Sequence, residues 1–390
     1  RGTHKPAAYD FYLRARGYLQ DYHRPESIQS AIDVFQRALE QDSRYALAYA
    51  GLGEAFWQRY RQTHDTAWLG QALTACEQAV ALDDNLASGH ACLGMVYSGR
   101  GRYEQAVEEF QRGILLDPTS DDAYRGLGSA YESLGNIAEA EKTFRRAIEL
   151  RPQYWAGYNW AGRFYYQQGR YGEAAEMFTQ VIRLAPDSFT GYSNLGGIYT
   201  LEGRYAEAIP MFERSVALRP TGNAYSNLGT ACFIQRRFAE AARAYEDATK
   251  LEGMAWELWG NLADAYYWIP GKRSLADAAY EKALSLGEAK LQVNARDATL
   301  LGYMAYYHAM RNDRGNAERR ARQALAVAPN DPELLFNLAL THQQLGDRDQ
   351  ALGWLGKALA AGFSRATVRD TPALDSLRAL PQFEKLLKER

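Results

Sequence analysis

The stretch that decides the fold is one complete copy of a repeated pattern, running from Asp121 to Tyr154: DDAYRGLGSAYESLGNIAEAEKTFRRAIELRPQY. Four consecutive copies between Ala87 and Gly222 keep six positions at a constant step of 34 residues. In the copy quoted, these positions are Gly128, Tyr131, Gly135, Ala140, Phe144 and Pro152. Six positions held at one period over four copies predict a helical solenoid.

Each copy predicts two helices joined by a tight turn. In the first helix (helix A), Tyr124 and Tyr131 lie on one face at i and i+7. Gly128 lies beside them, and its missing side chain leaves room for the second helix (helix B) to approach. Gly135 predicts the end of helix A, because glycine takes the left-handed conformation without a steric penalty. Pro152 predicts the end of the copy, because proline lacks the N–H of a continuing helix.

Irregular copies extend the array in both directions. Two occupy residues 1–86, the four regular ones 87–222 and four more 223–362, while 363–390 predicts a helical cap that covers the last copy. The copies begin at Pro6, Ala46, Ala87, Asp121, Trp155, Phe189, Gly222, Trp256, Ala298 and Pro332. A long linker at 58–70 predicts either extended helices or a projecting loop, and 290–297 predicts a prolonged helix B or a linker. The whole chain, 1–390, is thus expected to be one all-α solenoid of about ten repeats.

Charge and cysteine usage restrict the classes of partner. The net charge of −2 gives no electrostatic basis for binding nucleic acid or an anionic membrane, so an RNA-binding array is disfavoured. Cys76, Cys92 and Cys232 have no C-x-x-C spacing and take core positions of the repeat, which predicts inert buried thiols. Unpaired thiols favour the cytoplasm, although a membrane-tethered parent protein with the array outside the cytoplasm stays open.

No constellation of residues predicts an enzyme, a cofactor or a metal site. The chain has no G-x-x-x-x-G-K-[ST], H-E-x-x-H or G-x-S-x-G motif. His308 and His342 lie 34 residues apart in the tyrosine position of helix A, where two imidazoles from neighbouring copies could bind a metal. A third ligand at suitable spacing is missing, which favours local hydrogen bonds for both histidines.

The spacing within each copy resembles the tetratricopeptide repeat (TPR). This resemblance implies a right-handed superhelix whose A helices line a concave groove that binds polypeptides. Asn194, Asn227 and Asn261 occupy position 6 of three consecutive copies, so the groove resembles the asparagine ladders of TPR arrays that hold extended polypeptides. An amide offers both a donor and an acceptor to a peptide backbone. The alternative is that asparagine at this position is simply common in the repeat.

Other residues of the A helices add charged, amide and aromatic groups to the expected groove. Arginine, asparagine and aromatic side chains together suit an acidic or aromatic peptide, although each taken singly also fits a solvated helix face. The complete set of expected peptide-binding residues is Arg125, Asn159, Arg163, Tyr166, Asn194, Asn227, Asn261 and Tyr267. The carboxylate clamp of chaperone-binding TPR domains needs lysines in helix A, and the third to eighth copies have none there. Chaperone C-termini are therefore disfavoured.

Three stretches resemble a narrower group, the C-terminal TPR regions of bacterial Hanks-type serine/threonine kinases and related signalling proteins. They are AYDFYLRARGYL from Ala8, WGNLADAYYWIPG from Trp259, and LDSLR from Leu374 together with Phe383. The resemblance implies a non-catalytic appendage of a larger protein whose kinase domain would lie upstream of Arg1. The sequence therefore predicts a scaffold that binds a protein or an extended peptide in its groove. The alternative is a self-association module that dimerises the parent protein.

Overall fold

The computed structural model describes residues 2–22 and 25–388. Within these ranges it contains 23 α-helices, one short 3-10 helix and no β-strand. The first 20 helices form ten antiparallel pairs, as the all-α repeat prediction requires. His23 and Arg24, which belong to the turn predicted at Tyr22–Pro25, lie outside the described residues.

The helix boundaries follow the repeat. The A helices are α1 (Pro6–Gln20), α3 (Ala46–Thr63), α5 (Ala87–Gly99), α7 (Asp121–Ser133), α9 (Trp155–Gln167), α11 (Phe189–Leu201), α13 (Gly222–Ile234), α15 (Trp256–Tyr267), α17 (Ala298–Met310) and α19 (Pro332–Gln344). The B helices are α2 (Pro25–Gln41), α4 (Thr66–Leu82), α6 (Tyr103–Leu116), α8 (Ile137–Leu150), α10 (Tyr171–Leu184), α12 (Tyr205–Leu218), α14 (Phe238–Leu251), α16 (Arg273–Val293), α18 (Arg314–Val327) and α20 (Arg348–Ala360). All ten predicted starts of helix A are confirmed.

Close packing between paired helices explains the glycine of helix A. A Cβ atom placed on Gly128 would lie 2.8 Å from Cε1 of Phe144, whose side chain is fully buried beneath it. The same contact recurs between Gly162 and Phe178. Gly135 has a φ of +77° just after α7, so it ends that helix as predicted. The phenylalanine of helix B therefore fills the space that the missing side chain leaves.

Longer helices take up much of both long linkers. Helices α3 and α4 contain 18 and 17 residues, so the stretch at 58–70 lengthens both members of the second pair. Helix α16 contains 21 residues and takes up the first part of the stretch at 290–297. Of the two alternatives that the sequence leaves at each linker, the structure has the longer helix.

The chain divides into two compact units, Arg1–Pro186 and Asp187–Arg390. We call them unit 1 and unit 2, and each has its own hydrophobic core. That all ten repeats continue as a single solenoid over 1–390 stays a prediction. Among the described residues, no helix combines the length and the apolar character needed to span a bilayer.

The C-terminal segment forms the predicted cap of the last repeat. It contains α21 (Arg365–Asp370), a 3-10 turn (Pro372–Leu374), α22 (Asp375–Arg378) and α23 (Pro381–Lys388). Leu374, Leu377 and Phe383 are fully buried in the core that α19 and α20 also form. Arg236, just after α13, donates hydrogen bonds from Nη1 and Nη2 to the two carboxylate oxygens of Asp375 in α22. The cap is therefore held to an earlier repeat of unit 2 as well as to the last one.

Candidate functional site

Three asparagine side chains of unit 2 lie at the same position of neighbouring A helices. Asn194 is on α11, Asn227 on α13 and Asn261 on α15, each five residues after the start of its helix. Asn227 is exposed and the other two are partly buried. None of the three amides makes a hydrogen bond to another part of the described chain, and none is fully enclosed. Their donors and acceptors are therefore available to a ligand. In the tenth repeat, Asn337 has the same position but is only 3% exposed, so it does not extend this row.

Aromatic side chains lie at the C-terminal end of α15. Trp268 stacks on Phe238 with ring centroids 5.6 Å apart and an interplanar angle of 15°. The guanidinium of Arg273 lies 3.3 Å from the ring centroid of Tyr267. The hydroxyl group of Tyr267 accepts a hydrogen bond of 3.4 Å from Nε2 of Gln344. The side chain of Tyr267 is thus already engaged on both its ring and its hydroxyl group, which makes it less available than the row of amides.

Helix α9 of unit 1 carries three of the other expected residues. The Arg163 guanidinium is exposed and lies 5.3 Å from the ring centroid of Trp160. Oδ1 of Asn159 is buried and has no hydrogen-bond partner among the described residues. Tyr166 is 47% exposed, and the centroid of its ring lies 6.1 Å from the ring centroid of Tyr171. These side chains belong to unit 1, whereas the amide row belongs to unit 2.

Arg125 is not a free cation. Its side chain is buried, and it pairs with Asp122 and, through Nε at 3.3 Å, with Oδ2 of Asp121. Asp121 also accepts a hydrogen bond of 3.0 Å from Nη1 of Arg151. A buried ion pair of this kind positions α7 and costs several kcal/mol to break. A direct role in gripping a peptide would therefore require the displacement of two carboxylates.

The prediction of three free thiols is wrong for two of them. Cys76 on α4 and Cys92 on α5 form a disulfide, whereas Cys232 is a buried free thiol. Cys76 takes the phenylalanine position of helix B, and Cys92 faces it from helix A of the next repeat, above Gly53. The repeat pattern does not indicate this contact, because the contact joins helices of different copies. Since the expectation of a cytoplasmic location depended on unpaired thiols, that basis is removed.

The two histidines of the tyrosine position make local contacts. Nδ1 of His308 lies 3.2 Å from Oδ2 of Asp313, and Nδ1 of His342 lies 3.4 Å from Oδ2 of Asp347. Each imidazole therefore contacts the carboxylate of the residue five positions later in the sequence. Within the described ranges, no three histidine, cysteine or acidic side chains converge as metal ligands would.

Sequence reasoning missed a cavity of about 210 Å³ in unit 1. Its lining comes from the A helices of all five repeats of that unit and includes Trp57, Arg61 and Trp160. The guanidinium carbon of Arg61 lies 5.0 Å from the ring centroid of Trp57 and 5.2 Å from that of Trp160. One signal was present in the sequence, because Arg61 belongs to the part of α3 that exceeds the regular repeat.

Comparison with known proteins supports the repeat assignment. Sequence models of the tetratricopeptide repeat match residues 93–154, 162–201, 187–251 and 332–357. A segment of 80 residues is 38% identical to cellulose synthase operon protein C of Pseudomonas fluorescens (strain SBW25). It spans 20% of this chain and only 6% of that protein.

Solved structures with similar folds include PilF of Pseudomonas aeruginosa, with 20% identity over 64% of this chain and 96% of PilF and a TM-score of 0.45. They also include the human IFIT1 dimer with PPP-AAAA, with 16% identity over 77% of this chain and 69% of IFIT1 and a TM-score of 0.50. The likeness to IFIT1 concerns the helical-repeat fold alone. Together, the matched repeat models and the ten helix pairs show that this chain contains tetratricopeptide repeats.

Proposed function

We propose that this chain is a non-catalytic scaffold that binds an extended polypeptide along the A helices of unit 2. The observation that carries the proposal is the row of Asn194, Asn227 and Asn261, whose amides lie at one position of successive helices and have no hydrogen-bond partner in the described chain. An extended backbone offers a donor and an acceptor at regular intervals, and an amide satisfies both.

The other expected residues take secondary parts in this proposal. Tyr267 and Trp268 offer aromatic surface at the C-terminal end of α15, the helix that carries Asn261. Asn159, Arg163 and Tyr166 offer an amide, a cation and a ring on α9. We further propose that the scaffold serves a larger signalling protein, a statement that is based only on the resemblance to TPR regions of bacterial kinases.

The test is the affinity of a peptide selected by display against the wild-type chain. It is measured by calorimetry with the wild type and with a triple variant, Asn194→Ala, Asn227→Ala and Asn261→Ala. A hydrogen bond contributes about 0.5–1.5 kcal/mol net, so the loss of three should weaken binding at least about tenfold.

The matched control removes three exposed amides from B helices: Gln36→Ala, Gln105→Ala and Gln350→Ala. This variant should bind within about twofold of the wild type, since each change is an exposed substitution of small energetic effect. Circular dichroism of all three proteins checks that their helix content is equal. Equal affinity of the two triple variants would contradict the ladder. If no peptide is selected and the mass in analytical ultracentrifugation rises with concentration, the self-association alternative replaces it.

A further inference from the structure

The cavity of unit 1 is enclosed by helices from the first to the fifth repeat. Arg16 comes from α1, Trp57 and Arg61 from α3, Ser98 from α5 and Trp160 from α9. The first and fifth repeats also meet where the ring of Tyr22, just after α1, lies 5.8 Å from that of Trp155, the first residue of α9. Its volume of about 210 Å³ is below the roughly 300–1,000 Å³ of pockets for drug-sized molecules, so it suits a small ligand.

The charges that face this cavity do not balance. Arg16 is neutralised by the carboxylate of Glu54. Arg125 and Arg151 share two carboxylates, those of Asp121 and Asp122. The fourth arginine of the lining, Arg61, forms no ion pair with any described residue. Four positive charges therefore meet three negative ones, and the uncompensated charge is on Arg61.

The surroundings of Arg61 hold a cation without neutralising it. Burial lowers the pKa of its guanidinium from the usual value, and repulsion from Arg163 and Arg125 adds to this effect, although the hydroxyl group of Tyr22 acts in the opposite direction. Two indole rings and the C-terminal turn of α3 favour a positive charge, but each contributes only about 0.5–2 kcal/mol. An unpaired buried ion costs several kcal/mol. An anion that enters the cavity would therefore be stabilised by pairing with the Arg61 guanidinium.

The walls indicate the shape of that anion. The rings of Trp57 and Trp160 both lie close to the Arg61 guanidinium, and Phe110 and Tyr154 add further rings to the lining. On α5, the hydroxyl oxygen of Ser98 is buried without a hydrogen-bond partner in the described chain. Rings favour a flat apolar body, the hydroxyl group can donate to an oxygen, and a guanidinium edge matches the two oxygens of a carboxylate.

We infer that the unit 1 cavity binds a small, flat monocarboxylate, which pairs with Arg61 and packs against Trp57 and Trp160. The carboxylate belongs either to a free aromatic acid or to the C-terminal aromatic residue of a polypeptide. This site goes beyond the scaffold function proposed above, since it lies in unit 1 and uses none of the asparagines of unit 2.

The test compares phenylacetate with phenylacetamide, which has the same shape but no charge, by calorimetry on the full chain. The acid should bind at least about tenfold more tightly than the amide, because only the acid compensates Arg61. N-acetyl-Gly-Gly-Phe with a free carboxyl group distinguishes the two sources: tighter binding than phenylacetate indicates a chain end, and weaker binding indicates a free acid. Inorganic phosphate is the anion without a flat body and should compete poorly.

The Arg61→Met variant separates a binding role from a structural one. It removes the charge and keeps the apolar stem, so it should lose at least about tenfold in affinity for phenylacetate while its unfolding temperature without ligand stays equal or rises. Arg112→Met is the control, since Arg112 is exposed on α6 and forms no ion pair in the described chain. Trp160→Leu, which keeps Arg61, should weaken phenylacetate as well and serves if Arg61→Met fails to fold.

Several results would overturn the inference. Equal binding of acid and amide would do so, as would phosphate competing as well as phenylacetate, or no heat of binding up to about 10 mM ligand. A lower unfolding temperature of Arg61→Met with unchanged affinity would assign Arg61 a structural role instead. The triple asparagine variant should bind phenylacetate as the wild type does, and Arg61→Met should bind the display-selected peptide unchanged. Failure of this site is thereby separated from failure of the scaffold proposal.

Discussion

The partly buried carboxyl group of Asp264 should make the stability of unit 2 depend on pH. Asp264 lies on α15, where its Oδ1 accepts hydrogen bonds from the hydroxyl groups of Tyr280 on α16 and, at 3.0 Å, of Tyr306 on α17. No basic side chain pairs with it in the described part of the chain. Burial raises its pKa to about 7, although the two tyrosine hydrogen bonds act in the opposite direction.

The sign and size of the effect follow from this pKa. Between an unfolded pKa of 3.8 and a folded pKa of about 7, the folded protein keeps a proton that the unfolded chain has lost. The contribution of Asp264 to the free energy of unfolding is therefore largest below about pH 4, falls as the pH rises to about 7, and is constant above it. One pKa unit corresponds to about 1.4 kcal/mol, so the total loss is about 4 kcal/mol at most. Partial exposure of the side chain makes the measured value smaller.

The perturbation is Asp264→Asn, which keeps an oxygen acceptor for both tyrosines and cannot ionise. Hydrogen exchange of α15, α16 and α17 at pH 5 and pH 7.5 gives the local opening free energy of each protein, which suits a repeat array that need not unfold in one step. The wild type should lose more opening free energy than the variant between these two pH values. Asp277→Asn on the exposed face of α16 is the control. An identical pH response of wild type and Asp264→Asn would refute the reasoning.

Two further perturbations address packing and the disulfide. Gly128→Ala should destabilise the protein by about 1–3 kcal/mol, because its Cβ would collide with the ring of Phe144. Gly172→Ala should instead stabilise the protein by up to about 1 kcal/mol, because Gly172 lies on an open part of α10. Urea unfolding of both variants measures this difference in sign. Reduction of the disulfide between Cys76 and Cys92, which are 16 positions apart, should cost about 3 kcal/mol, and one free thiol, that of Cys232, instead of three should react in the unfolded, unreduced protein. Equal unfolding midpoints of the two alanine variants, or three reactive thiols, would contradict these expectations.

The repeat made the helices predictable, because their boundaries depend on local signals. Gly135 ends α7 through its own backbone conformation. Gly128 makes room for the ring of Phe144, which is only 16 positions further along the sequence. The disulfide and the unit 1 cavity depend on contacts between different copies, which the period does not specify. Arg61 meets Trp160 across 99 positions of the sequence only because five repeats enclose a common space. The irregular features of a repeat array are therefore the ones that sequence reading finds last.

One position of the repeat contributes a side chain to both candidate sites. The sixth residue of helix A is Asn194, Asn227 and Asn261 in unit 2, and it is Trp160 in α9 of unit 1. The backbone directs this side chain to the same face of helix A in every copy. An amide there offers hydrogen bonds to a polypeptide backbone, whereas an indole offers a flat surface to a cation or a ring. In these four copies the repeat sets the place of the side chain on helix A, and the residue type sets which groups of a ligand it can contact.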